Sequence, residues 1–245
     1  MKILTEPKVH LLSVPFFLSH QTYILPKGDE TDAEQIVATA GKVCYDSFGL
    51  DGRSVSDHIR SLVDSHHYSV LEHSNFGVFI EGISRGCSHE LVRHRHFSFS
   101  QRSTRYTAED DAAIVLDPYY TSLCVKEDTE GLTLDEGALL HKFLIDCENA
   151  LKNYRQQVEW LTEQNPEHLK GRDLRKWARG KARQLLPHAL ETRLVVTGNI
   201  RSWREFFEKR CSSHAEAEIR RLAYMIRELL TPLAPNAFAD ASTSS

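Results

Sequence analysis

The spacing of hydrophobic and polar positions predicts one long helix and several shorter ones. Between residues 140 and 161, apolar side chains recur at intervals of three and four, as in an amphipathic helix that buries a single stripe. The stripe consists of Leu140, Leu144, Cys147, Leu151, Tyr154, Val158 and Leu161. A similar pattern over 215–230 predicts a last helix, which ends before Pro232. Shorter helices are predicted for 55–63, 84–92 and 202–210.

The remaining periodic segments predict strands and one further helix. Residues 8–17, 75–82 and 191–199 are predicted strands, and the apolar positions of 75–82 indicate that both faces are partly covered. Thr31 and Glu34 have the capping-box spacing at the start of a helix. The predicted buried face of that helix carries Ile36, Val37, Ala40 and Val43.

These elements predict a single α+β domain over residues 1–245, with a small sheet flanked by several helices. No repeat or low-complexity linker divides the chain. Residues 26–32 are a predicted turn-rich loop, and the acidic residues 126–131 are predicted to form a loop that is the best candidate for an insertion. We expect the polar tail 239–245 to be frayed.

Composition and charge narrow the class of protein. The hydrophobic fraction is 41%, as in ordinary globular proteins, and the net charge of −4 argues against a general nucleic-acid binder. The five cysteines show no CxxC spacing, so we interpret them as buried thiols of a reducing compartment. Neither a signal peptide nor a membrane-spanning run is recognisable, and we expect a cytoplasmic protein without a membrane partner.

Several common catalytic and binding motifs are missing. Neither GxGxxG nor GxxxxGK[ST] occurs, so the sequence supports neither a dinucleotide fold nor a P-loop. The histidines His66, His67 and His73 match no zinc spacing, and we expect no metal.

The most unusual stretch is RHRHFSFSQRSTRY, residues 93–106, which contains four arginines, two histidines and no lysine. It directly follows a predicted helix, and guanidinium groups bind phosphate oxygens bidentately. A phosphate or diphosphate site is therefore predicted. The alternative is a solvated charged face with Phe97 and Phe99 packed inward.

A second arginine-rich group lies between residues 181 and 211. It consists of Arg183, Arg201, Arg204 and Arg210. Asn199 lies beside it at a strand-to-helix turn, where it either caps the helix or binds a heterocycle or sugar. Two such groups indicate two anionic ligands, or one ligand with charge at both ends.

At this point the residues resemble a known family. Arg93-His94-Arg95, seven residues and then Ser103 resemble the signature of the flavin-dependent thymidylate synthases. The segments SVLEHSNFGVFIEGISR (69–85) and ARQLLPHALETRLVVTGNIRSWREFFEKRCSSHAEAEIR (182–220) resemble the same family, in order, over roughly 70–230.

The resemblance implies a homotetramer with a small, largely antiparallel central sheet and active sites between subunits. It implies methylation of dUMP to dTMP, with 5,10-methylenetetrahydrofolate as carbon donor, reduced FAD as hydride donor and NADPH as reductant of the flavin. It also implies that no enzyme cysteine acts as nucleophile.

The resemblance also implies site residues, position by position. The implied FAD contacts are Ser69, Arg93, His94, Arg95, Gln101, Asn199, Arg201 and Glu205, with Asn199 and Arg201 reaching the flavin from a neighbouring subunit. The implied dUMP contacts are Glu90, Arg93, Gln101, Ser103, Thr104, Arg105, Arg183 and Arg210. Arg210 and Ser103 are the catalytic candidates. We expect Arg210 to stabilise negative charge on the uracil ring and Ser103 to position the substrate by a hydrogen bond.

Two other classes remain open. A nucleotide-binding regulator, or a homologue without turnover, would keep the ligand sites and lose Arg210 or Ser103, but both residues are present. An RNA-binding protein would use the arginine patch and stack bases on accessible Phe97 and Phe99.

Overall fold

The structure is a computed structural model of the chain, and it describes residues 1–19, 25, 30–49, 53–109, 111–129 and 131–239. Most of the turn predicted at 26–32 lies outside these residues, as does the predicted frayed tail beyond residue 239. None of the helices within the described ranges combines the length and apolar character that crossing a membrane requires.

Helices and strands come in short runs along the chain, as expected for an α+β protein. The strands are β1 (Lys2–Leu4), β2 (Lys8–Ser13), β3 (Asn75–Ser84), β4 (Ser98–Gln101), β5 (Ala113–Val115) and β6 (Glu191–Asn199). The helices are α1 (Asp32–Val43), α2 (Val55–Asp64), α3 (Arg85–Leu91), α4 (Pro118–Thr129), α5 (Leu134–Gln164), α6 (Gly171–Ala182), α7 (Ile200–Arg210), α8 (Ala217–Leu230) and α9 (Pro235–Phe238). Short 3₁₀ helices cover Tyr68–His73, Arg183–Leu185 and Thr231–Leu233.

The strands form two sheets. The small antiparallel sheet has the order β2-β3-β6-β4, which confirms the predicted α+β class. A separate parallel ladder joins β1 to β5 and pairs Ile3 with Ile114. The sequence did not predict this ladder, because strands of three residues are too short to show a period.

The chain divides into two compact units. The first consists of Met1–Lys8, Glu81–Glu90 and Gln101–Leu194. The second consists of Val9–Ile80, Leu91–Ser100 and Val195–Ser245. Strands β3 and β6 each contribute residues to both units, and the single-domain organisation stays a prediction.

The core of the first unit is built on α5. Thr133 begins this helix with a complete capping box, and Asn165 ends it in the left-handed conformation. The predicted stripe lies on the packed face, since Leu140, Cys147, Leu151 and Tyr154 are buried and its other three residues are half-buried. Around Cys147 and Leu151 pack Ala112, Ile114, Leu116 and Leu190.

The core of the second unit is aromatic. The Phe97 ring lies 4.3 Å from the ring of Trp203, and Phe206 contacts both. Gly198 on β6 makes room for Phe97, because a Cβ at that position would lie 2.2 Å from Phe97 Cδ1. This packing fixes one end of the arginine-rich segment 93–97.

Four predictions about local structure were wrong, two of them in α1. In α1, Thr31 accepts a hydrogen bond from Glu34 N as expected, but the Glu34 carboxylate accepts from Asn236 instead of closing the capping box. The buried side chains of α1 include Glu34 and Val37, whereas Val43 is exposed. The first difference arises because Asn236, 202 residues away in the sequence, engages the Glu34 carboxylate.

The other two corrections concern a loop and a strand. The acidic residues up to Thr129 continue α4 and do not form a loop, and Lys126 donates to Glu136 of α5 at 2.8 Å. Strand β2 ends at Ser13, short of the predicted residue 17, and most of its side chains are exposed.

Candidate active site

The second unit contains a cavity of about 340 Å³ between the arginine-rich segment and helix α7. Its lining comprises Arg93, His94, Arg95, His96, Phe97, Ser202, Glu205, Lys209 and Arg210. Four of the predicted flavin contacts and the catalytic candidate Arg210 therefore meet in one place. Positions 202, 205 and 209 share one face of α7 because they are three and four residues apart.

His94 and Arg210 form the central contact of the cavity. Arg210 Nε donates to His94 Nε2 at 3.1 Å, and the His94 ring packs edge-on against Phe206. Burial, together with the positive charges of Arg210 and Lys209, lowers the pKa of His94 to about 4. The imidazole is therefore neutral near pH 7, with Nε2 as acceptor and its proton on Nδ1.

The cavity carries an excess of positive charge. Glu205 supplies its one described carboxylate, and this group pairs with Lys209, whose hydrogen bond lowers the pKa of Glu205. Besides this pair, the lining contains the guanidinium groups of Arg93, Arg95 and Arg210. Such a donor set favours a ligand that carries phosphate groups.

Three other predicted flavin contacts lie elsewhere in the second unit. Asn199 caps α7, accepting from Ser202 N at 2.9 Å, which confirms the capping interpretation. Arg201 pairs with Glu72 at 2.6 Å, and Ser69 is exposed in the 3₁₀ helix Tyr68–His73. The described lining of the cavity includes none of the three, so their flavin contacts stay predictions.

The second arginine-rich group is not one cluster. Arg204 donates to the carbonyl of Ala237 and lies 5.3 Å from the Tyr68 ring centroid, which ties α9 to α7. Arg183 belongs to the first unit, where it is exposed at the end of α6. Of the four arginines, Arg210 is the one found in the described lining of the cavity.

The remaining predicted dUMP contacts lie in the first unit. Gln101 Nε2 donates to Ser88 Oγ of α3 at 2.9 Å and to Thr192 Oγ1 of β6 at 3.1 Å, so the amide is held by these two elements. Ser103 Oγ accepts from Arg105 N at 3.3 Å, and this partner is a backbone donor and not a base.

The surroundings of the other candidates differ in exposure. Thr104 is buried, with 4% of its surface exposed, which makes it the least accessible of the predicted dUMP contacts. Arg105 is exposed and lies against Gly180 of α6. Glu90 is half-buried near the end of α3.

Comparison with known proteins decides the family. Residues 28–236 match the family model described as thymidylate synthase complementing protein. The chain belongs to this family. It is 40% identical over 216 residues to the flavin-dependent thymidylate synthase of Mycolicibacterium gilvum, covering 86% of this chain and 81% of that protein. The proteins of the same name from Mycobacterium tuberculosis and Mycobacterium avium are each 39% identical, with the same coverage.

Family membership confirms the resemblance found in the sequence. It also weighs against the RNA-binding alternative, as does the packing of Phe97. That ring is 7% exposed and packed on Trp203, so it lacks the open face that base stacking requires.

The sequence did not predict His96, Phe97, Ser202 and Lys209 as cavity residues. Lys209 was recognisable, because it lies four residues after Glu205 and directly before Arg210. His96 lies inside the arginine-rich stretch that was already singled out. Among the described residues, no group of three or more His, Cys, Asp or Glu side chains is arranged to hold a metal ion.

Proposed function

We propose that this chain is a flavin-dependent thymidylate synthase that methylates dUMP to dTMP in the cytoplasm. In this proposal 5,10-methylenetetrahydrofolate supplies the carbon, reduced FAD the hydride and NADPH the electrons for the flavin. The observation that carries the proposal is the cationic cavity, in which Arg210 is held by a neutral His94, in a chain of this family.

The cavity residues fit FAD by their chemistry. The guanidinium groups of Arg93 and Arg95 suit a diphosphate, because each can bind two phosphate oxygens at once. The half-buried ring of His94 adds flat, weakly polar surface beside those charges. When bound, the flavin supplies the hydride that completes the new methyl group.

Arg210 has the most direct chemical role in the proposal. Its Nε is committed to His94, which restricts rotation of the guanidinium plane. We propose that the cation stabilises negative charge that develops on the N3/O2 side of the uracil ring. Because His94 is neutral, it orients this cation without adding a competing charge.

The dUMP contacts of the first unit are proposed as positioning groups. Ser103 would hold the substrate by a hydrogen bond, since its described partner, Arg105 N, cannot deprotonate it. Arg105 and Arg183 are exposed cations suited to the phosphate end of the nucleotide. Thr104, Gln101 and Glu90 would line the same site.

We also propose a homotetramer, with Asn199 and Arg201 reaching a flavin of the neighbouring subunit. Support comes from the second unit, where every second residue from 12 to 18 is apolar and more than half exposed. These residues are Leu12, Val14, Phe16 and Leu18. A run of this kind is usually covered by another protein surface. Light scattering coupled to size-exclusion chromatography would measure the assembly, and a monomeric holoprotein would contradict it.

The decisive assay is anaerobic. The purified protein is reduced with NADPH, given dUMP and methylenetetrahydrofolate, and assayed for dTMP while the visible band of the oxidised flavin is followed. We expect dTMP to form as the flavin reoxidises. Flavin that is bound and reduced without dTMP formation would contradict the activity, and absence of flavin binding would contradict the whole assignment.

Two variants then test the residue roles. We expect Arg210→Ala to lower turnover by roughly a hundredfold or more, the loss typical of removing one charge-stabilising donor, whereas Arg60→Ala on the exposed face of α2 should match the wild type. Retained FAD with near-normal turnover would refute the role of Arg210. Ser103→Ala should raise the KM for dUMP, and abolished turnover at unchanged dUMP affinity would indicate a nucleophile instead.

A further inference from the structure

In the first unit, the side chain of Arg102 joins the two ends of segment 102–109, and Arg179 of α6 donates to Tyr106 O in its middle at 3.0 Å. Arg102 Nη1 lies 3.0 Å from Glu109 Oε2, and Arg102 Nη2 donates to the carbonyl of Ala108 at 3.2 Å. The guanidinium at the beginning of the segment therefore holds its far end. Within the segment, Thr107 N donates to Ser103 O at 3.0 Å.

The same guanidinium is tied to strand β6. Arg102 Nη1 lies 3.6 Å from Glu191 Oε2, and Arg102 N donates to Arg193 O at 2.9 Å. The other oxygen of Glu191 accepts from Arg193 Nε at 3.3 Å and from Gly82 N at 3.4 Å. The segment is thus attached to β6 and, through Glu191, to β3, and its conformation is held by these strands as well as by its internal contacts.

Both carboxylates of this network are removed from water. The Glu109 side chain is completely buried, and 6% of the Glu191 side chain is exposed. Burial raises the pKa of Glu109, and the charges of Arg102 and Arg85 act against that rise. Such a network contributes little net stability compared with apolar packing. It favours one conformation, because a charge buried without its partner would lower the free energy of unfolding.

The residues enclosed by this network are Ser103, Thr104 and Arg105, the proposed dUMP contacts. We propose that the Arg102–Glu109 pair is a positioning element for the nucleotide, which holds segment 103–105 in its binding conformation without touching the substrate. The identity of the ligand, dUMP, rests on the proposed function. The contacts that close the segment are independent of it.

Loss of the pair should affect binding more than chemistry. When the side-chain contacts of Arg102 are lost, the far end of the segment is released, although the backbone bond of residue 102 to Arg193 remains. The released part must be ordered again each time dUMP binds, and the free energy of that ordering is subtracted from the affinity. We expect the KM for dUMP to rise about tenfold, equivalent to about 1.4 kcal/mol, while kcat and FAD content stay close to those of the wild type. The flavin cavity residues belong to the other unit.

The test compares variants that separate positioning from folding. Arg102→Leu alone leaves a buried, unpaired Glu109, so the main variant is the double substitution Arg102→Leu with Glu109→Leu, which removes both charges. Glu109→Gln keeps the side-chain size and serves if the double variant does not fold. Arg102→Lys keeps the positive charge but replaces the planar guanidinium by one ammonium group. Its affinity for dUMP should lie between those of the double variant and the wild type. The control is Lys142→Met, which breaks an exposed ion pair with Asp146 on α5.

The readouts are kcat, the KM for dUMP, FAD content, thermal stability and hydrogen exchange of amides 103–108. A raised KM at near-normal kcat, with faster exchange of the Thr107 amide, would support the proposal. A double variant with wild-type KM and wild-type exchange would overturn it, as would a loss of kcat and FAD together. If the wild type forms no dTMP, the proposed function fails, and the exchange measurement still decides whether the pair closes the segment.

Discussion

The neutral state of His94 predicts how the protein responds to acid. The pKa of this histidine is about 4 in the folded protein and 6.5 in an unfolded chain. Above pH 6.5 both states are neutral, so His94 does not affect the free energy of unfolding. Below pH 6.5 the unfolded chain binds a proton at His94, whereas the folded protein does not bind it until about pH 4. The free energy of unfolding therefore falls as the pH is lowered from 6.5 to about 4.

The size of the effect follows from the two pKa values. Between pH 7 and pH 5 the difference in proton uptake lowers the free energy of unfolding by about 2 kcal/mol at most. His94 is only half-buried beside an open cavity, so solvent screening reduces this to about 1 kcal/mol. For a chain of this size, that corresponds to roughly 2–4 °C in Tm.

The experiment replaces His94 by a residue that does not titrate. His94→Gln keeps an acceptor for Arg210, and thermal unfolding of the holoprotein is measured at pH 7 and pH 5 for both proteins. We expect the variant to lose about 2–4 °C less than the wild type over this interval. His141→Gln, at an exposed position of α5, is the control and should behave as the wild type. Equal acid-induced losses in wild type and His94→Gln would refute a neutral, desolvated His94.

Two further predictions concern packing and helix capping. Gly198→Ala would set a Cβ 2.2 Å from Phe97 Cδ1, so we expect overpacking to cost about 1–3 kcal/mol and flavin content to fall as segment 93–97 shifts; wild-type Tm and flavin content would contradict this packing. Thr133→Ala removes the cap of α5 and should lower stability by about 1 kcal/mol with an unchanged KM for dUMP. Chemical denaturation and steady-state kinetics measure these effects, and unaltered stability of Thr133→Ala would refute the capping role.

Periodic segments were predictable from the sequence because their signal is local. The stripe of α5 from Leu140 to Tyr154 lies on the packed face, as its three- and four-residue spacing predicted. By contrast, α6 was missed because its described buried side chains are only Ala178 and Ala182, too few for a recognisable period. The capping box of α1 was misjudged because the Glu34 carboxylate accepts from Asn236, a partner that no local pattern reveals.

The candidate site shows the same division. The resemblance to the family predicted Arg93, His94, Arg95 and Arg210 as site residues, and the cavity brings these four together. The charge pattern alone grouped Arg210 with Arg204, which ties α9 to α7, and with Arg201, which pairs with Glu72. Arginine has the same chemistry in each role, and only its neighbours in space decide which role it takes.

The sequence by itself determined the family, the main helices and strands, and the stretch that carries the anionic site, since these depend on motif order and on periods of two to four residues. The tertiary structure decided that Arg210 is held by a neutral His94, and that Arg102 closes the segment containing Ser103. His94 and Arg210 are 116 residues apart. Their contact, and the burial that lowers the pKa of His94, exist only after distant segments have packed together.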